Sequence, residues 1–171
     1  MAEQKRSEER QQTEDSLVIT RTFDAPREHV WKAWTDPERY MCWFGPKGFT
    51  APIVKIDLRV GGKFLGAMRS PEGQDFWSTG TYREIVEPER LVVTDSFADE
   101  KGNVVSASHY GMTADWPEEL LVTVTFEGID GRTRMTLKHS GLLGAPAAEV
   151  ENMRQGWNES FDKLADCLAE A

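Results

Sequence analysis

The spacing of apolar residues divides the chain into segments of different period. From Leu17 to Phe23 the run LVITRTF is rich in β-branched residues and alternates in part, which predicts a first strand. Asp24-Ala25-Pro26 then opens a helix, with Asp24 or Ala25 at the cap and Pro26 in the first turn. Val30, Trp31 and Trp34 share one face of it. Thr35-Asp36-Pro37 ends this helix and starts a second, which carries Tyr40, Met41, Trp43 and Phe44 and stops at Gly45-Pro46. Between Thr50 and Phe126 the period becomes two. The expected strands are Ile53 to Val60, Lys63 to Arg69, Asp75 to Val86, Leu91 to Phe97 and Leu120 to Phe126, with Gly61-Gly62 as a hairpin turn between the first two. Asp130-Gly131 turns into a last strand, Thr133 to His139. The 98–118 connection is unusually long, and such length marks function or mobility. From Ala147 to Ala171, Val150, Met153, Trp157, Phe161, Leu164 and Leu168 recur at steps of three or four, the signature of one long amphipathic helix.

This order, β-α-α-β6-α, predicts an α+β domain of helix-grip type (START/Bet v 1-like): a curved antiparallel sheet wrapped on a long C-terminal helix. A helix of ~25 residues spans ~37 Å, enough to cross the sheet. A twisted sheet diverges from a straight rod away from their line of contact, so a concave, largely apolar cavity is expected between them. Strand alternation points Phe64, Gly66 and Met68 inward, with Met135, Leu137 and His139. Tyr82 is expected inward in place of Trp77, and Asp95 shares the face of Leu91 and Val93, where a carboxylate needs a partner or an open rim. The candidate ligand-binding residues are therefore Phe64, Met68, Tyr82, Asp95 and His139 from the strands, and Met153, Trp157 and Phe161 from the long helix. Trp34 joins them from the first helix, and Tyr110 and Met112 from the long connection. Gly156 is expected to let the helix approach the sheet closely.

Composition narrows the function. With 39% apolar and 29% charged residues among 171, the chain reads as one globular domain over 16–171 behind a disordered polar tail over 1–15. The formal charge is −9, and no Lys/Arg cluster longer than two occurs, which argues against nucleic acid and anionic membrane as partners. No stretch approaches the ~20 apolar residues of a membrane span, and Met1 to Asp15 lacks the apolar core of a signal peptide, which points to the cytoplasm. Cys42 and Cys167 stand far apart without CxxC spacing and read as two reduced, partly buried thiols. His29, His109 and His139 show no metal-ligand spacing, so neither a metal nor a cofactor is expected.

The stretches FDAPREHVWKAWTDPERYMCWFGP, DLRVGGKF, GTYREIVEPERLVVTDSF, TRMTLKHSG and QGWNESFDKLADCL together resemble the SRPBCC (START-like, helix-grip) superfamily. Within it they are similar to the branch named for the activator of the heat-shock-protein-90 ATPase homologue. The likeness runs from about Leu17 to Leu168, five pieces in order at matching spacing. It implies the fold and a cavity for hydrophobic or aromatic small molecules, but no single reaction. Superfamily members include lipid carriers, plant hormone receptors, polyketide cyclases and self-resistance proteins. The chaperone activator carries this domain beside a separate N-terminal one, for which only fifteen polar residues stand here.

The leading expectation is a non-enzymatic cytoplasmic protein that binds a small apolar molecule, in a stress, resistance or carrier role, with no catalytic residue assigned. An alternative is an enzyme of cyclase, dehydratase or hydrolase type built on cavity His139, with Asp95, Tyr82 and His109 completing the plausible acid/base set. A third reading makes the domain a modulator of a chaperone ATPase, with His109, Tyr110, Met112 and Trp116 as an exposed aromatic patch. A homodimer and a chaperone partner stay open, as does the choice between lid and partner surface for 98–118.

Overall fold

The computed structural model describes residues 15–170, so the tail expected over 1–15 lies outside the described residues but for Asp15. Seven antiparallel strands form one sheet: β1 (Ser16–Phe23), β2 (Thr50–Ile56), β3 (Lys63–Arg69), β4 (Asp75–Val86), β5 (Arg90–Ala98), β6 (Leu120–Ile129) and β7 (Arg132–Ser140). They lie in the order β1-β7-β6-β5-β4-β3-β2. Two short helices, α1 (Arg27–Thr35) and α2 (Pro37–Trp43), carry the chain from one edge strand to the other, and α3 (Ala147–Ala169) crosses the concave face. This is the expected helix-grip α+β architecture.

Alternation decides which face is covered. In β7, Met135, Leu137 and His139 are buried while Arg134 and Lys138 are exposed. In β6, Leu120, Val122, Val124 and Phe126 are buried, and registers Val122↔His139 and Val124↔Leu137 bring the two apolar rows side by side. The α1–α2 corner forms because Pro37 cannot continue a helix, and Asp36 caps the next one, its carboxylate accepting from Glu38 N–H at 3.0 Å. Trp31, Trp34 and Trp43 from this corner are almost fully buried, and the Trp43 indole N–H donates to the Ala33 carbonyl at 2.9 Å.

Five expectations need correction. The first helix starts one residue later than the cap reading, with Pro26 as the cap. β2 covers Thr50–Ile56 instead of Ile53 to Val60. Gly61 and Gly62 do not make a two-residue hairpin turn; Gly61 N–H donates to the Tyr82 carbonyl at 2.8 Å, and Tyr82 N–H to that of Gly62 at 3.0 Å. Residues 57–62 therefore fold as a compact loop with Leu58 and Val60 exposed, and a side chain at Gly62 would meet the Asp57 carbonyl at 2.0 Å. Gly156 does not serve close approach to the sheet, since the nearest atom to a side chain there is Pro46 Cγ at 3.4 Å.

The cysteines are the fifth. Cys42 at the end of α2 and Cys167 near the end of α3 form a disulfide, their Cα atoms 6.4 Å apart across 125 residues of sequence. No spacing motif announces such a bond, because only the packing of α2 on α3 brings the two residues together. Structural disulfides persist in oxidising surroundings, so this bond pulls against the expectation of a reducing cytoplasm. Among the described residues, no helix is long and apolar enough to cross a membrane.

Candidate functional site

The sheet and α3 part company near the middle of the helix. In its first turn Val150 is buried, as are Phe161 and Leu164 in its second half, but Met153, Gly156 and Trp157 between them are only half-buried although they face the sheet. They front a cavity of about 320 Å³. Its floor is the inward row of β3 to β7, its roof is α3, one end is closed by Trp34, Tyr40 and Phe44 of the helical corner, and Met112, Trp116 and Pro117 of the long connection lie along another side.

That connection is held down at several points. The Glu149 carboxylate accepts from Thr113 N–H at 3.1 Å, which ties the connection to the first turn of α3. The Tyr110 hydroxyl donates to the Ala98 carbonyl and accepts from Trp77 N–H, fixing the 3-10 turn Ala107–Tyr110 to the edges of β4 and β5. Trp116 is 8% exposed and Met112 half-buried, so neither belongs to an exposed aromatic patch. Only His109 of the set proposed for such a patch is exposed, and it does not line the cavity.

Of the residues expected around a ligand, the structure brings Trp34, Phe64, Met68, Tyr82, Asp95, Met112, His139, Met153 and Trp157 to the wall of this cavity. Tyr110 and Phe161 are corrections. Tyr110 spends its hydroxyl on the backbone bonds above and packs its ring against Phe76 and Phe97, outside the wall. Phe161 is completely buried against Trp34, Trp43 and Trp157 and supports the wall from behind. Among the lining residues that sequence reasoning missed are Tyr40, Phe44 and Glu149. Helical spacing carried a signal for each: Phe44 follows Tyr40 by four residues, and Glu149 precedes Met153 by four.

The polar groups gather on one side. His139 is 2% exposed, and its Nδ1 accepts from the Trp157 indole N–H at 3.1 Å. An indole nitrogen can only donate, so Nδ1 carries no proton and the ring hydrogen sits on Nε2. Nε2 lies 2.9 Å from Asp95 Oδ2, yet the angle is not that of a hydrogen bond, and Nε2 has no aligned partner. Asp95 sits where β5 parts from β6: the β5–β6 ladder ends at Asp95↔Leu120, and β5 runs on toward the long connection paired with β4 on its other side. Its side chain keeps about a third of its exposure, consistent with the open rim expected for a lone carboxylate. Facing it, burial holds the Tyr40 phenol well above its ordinary range, with Tyr82 and Asp95 adding to the effect, and burial likewise pushes Tyr82 up. Both hydroxyls stay protonated and available as hydrogen-bond donors.

A conventional base dyad needs one imidazole nitrogen on the carboxylate and the other free for substrate. Here the second nitrogen is occupied by Trp157. The arrangement suits binding better than proton transfer. No cluster of ligating side chains able to hold a metal ion occurs among the described residues.

The family model described as "Activator of Hsp90 ATPase homolog 1-like protein" matches residues 24–169. The chain belongs to this AHSA1 family. Solved structures agree on the fold of this AHSA1 domain. A protein of Nitrosomonas europaea superposes with a TM-score of 0.76 at 24% identity, covering 93% of this chain and 97% of its own. A protein of Mycobacterium smegmatis gives 0.75 at 26% identity, covering 90% of each chain. An AHSA1 protein of Silicibacter pomeroyi gives 0.71 at 24%, with 90% of this chain and 97% of its own covered. No curated protein matches the chain. The AHSA1 assignment supports a START-like ligand-binding domain in general and names no ligand.

Proposed function

We propose that the protein binds a small hydrophobic or aromatic molecule in the cavity between α3 and the sheet, without turning it over. The observation that carries this reading is the cavity itself: about 320 Å³ of space walled by Trp34, Tyr40, Phe44, Phe64 and Trp157. Ligand sites are concave, mostly apolar and furnished with a few polar groups, and this volume stands at the lower end of their range of roughly 300–1,000 Å³. A guest of one or two rings suits it. A stress, resistance or carrier role follows from binding alone, and the long connection acts as the cover of the site, not as a chaperone-binding patch.

The contact between His139 and Asp95 is the one observation favouring an acid/base enzyme. Against it stands the hydrogen bond from Trp157 to His139 Nδ1, which would have to break before the imidazole could take up a proton.

Native mass spectrometry of protein taken from its own host, with thermal melts against apolar ring compounds, tests the proposal. A ligand at 100 times its Kd stabilises the fold by about 2.7 kcal/mol, which in a domain of this size raises Tm by roughly 5–10 °C. Protein that carries no guest and melts at one temperature with every compound would overturn it.

A further inference from the structure

We propose that the cavity is selective for a small organic ammonium ion with an apolar, ring-sized body, its charge paired by Asp95. This rests on reading the cavity as a ligand site and names the chemical class of the ligand. Two carboxylates, Asp95 and Glu149, line the cavity, and no lysine or arginine does. His139, almost fully buried at the same wall, supplies no counter-charge: its Nδ1 accepts the Trp157 indole N–H, and Nε2 stands 2.9 Å from Asp95 without an aligned hydrogen bond. The second carboxylate is also incomplete. Glu149 Oε1 accepts from Thr113 N–H, but Oε2 is buried with no partner.

A carboxylate facing a largely apolar space is costly without a compensating group, so the site favours a guest that brings positive charge and N–H donors. The walls fit the same guest. Trp34, Tyr40, Trp116 and Trp157 present aromatic rings, whose faces attract cations most strongly when water is excluded. The net charge of −9 concentrates cations around the protein and repels anions of similar shape.

Three ligands of matched skeleton and different charge test this at neutral pH: tryptamine, tryptophol and indole-3-acetate, titrated by calorimetry against the whole chain. The expected order is tryptamine tightest, tryptophol weaker by about tenfold or more, and indole-3-acetate weakest, since a hydrogen bond to a charged group contributes roughly ten- to hundredfold in affinity. In Asp95→Asn, which keeps shape and polarity, the preference for tryptamine over tryptophol should shrink by about tenfold or more. Glu149→Gln should narrow the preference only partly. Wild-type protein that binds tryptophol as well as tryptamine, or prefers the acetate, overturns the ammonium proposal and leaves the ligand cavity standing. Wild-type protein that binds none of the three overturns both. The wild-type series decides the matter even where a variant fails to fold.

Discussion

Trp157→Phe, set in a double-mutant cycle, probes one atom pair at the centre of the site. The phenyl ring retains the near-parallel packing on Phe161 and Trp34, whose rings lie 5.4 and 5.9 Å from that of Trp157. It removes the indole N–H, and with it the hydrogen bond to Nδ1 of His139, a residue 2% exposed, together with part of the bicyclic ring's bulk. An acceptor left buried and unpaired costs its desolvation, about 1–3 kcal/mol, where a typical exposed bond would cost less than half as much. Urea denaturation should register this as a lower midpoint at unchanged m-value. His139→Phe provides the second edge of a double-mutant cycle, and the pair should show a coupling of about 1 kcal/mol or more because deleting both partners leaves nothing orphaned. Long-range proton–nitrogen NMR of the wild type should place the imidazole hydrogen on Nε2. Two single losses that simply add, or a proton found on Nδ1, would refute the account of how His139 is held.

Reducing the Cys42–Cys167 bond with dithiothreitol should cost about 3–5 kcal/mol in urea unfolding, because it frees a 125-residue loop in the unfolded chain; a change below ~1 kcal/mol would mean the bond adds little constraint. Gly156→Ala should raise stability by about 0.5–1 kcal/mol, since glycine is a poor helix former and the new methyl meets only Pro46 Cγ at 3.4 Å; destabilisation in thermal melts would reveal a close approach the geometry does not show. Of the three tyrosines, burial raises Tyr40 and Tyr82 above the ordinary phenol range and, with smaller help from Asp99 and Asp75, raises Tyr110 as well. The unfolded chain therefore loses phenol protons first, so stability holds below pH ~10 and falls as pH rises beyond it. Absorbance near 295 nm should show little tyrosinate until the protein unfolds, and a smooth ionisation at pH ~10 in folded protein would contradict this.

The order of elements, the inward rows of the strands and the stripe of α3 were legible in the sequence, because period and turn chemistry are local and each strand or helix writes its own. His139 could be placed inward from Met135 and Leu137 alone. Legibility faded where a feature depended on two distant segments. Gly61-Gly62 reads locally as a hairpin turn, yet its backbone pairs with Tyr82, so β2 ends early. The 98–118 connection, read from its sequence, leaves lid and partner surface both open, and only the folded chain reveals its tether from Thr113 to Glu149.

By itself, then, the sequence determined the fold class, the apolar faces and nine of the side chains that reach the cavity. Tertiary structure alone decided the disulfide, the exclusion of Tyr110 and Phe161 from the cavity wall, and the meeting of Asp95 with His139. The reason is geometric. Alternation tells which way a side chain points within its strand, whereas a distance of 2.9 Å between residues 44 positions apart depends on register across β6 and on where that ladder stops.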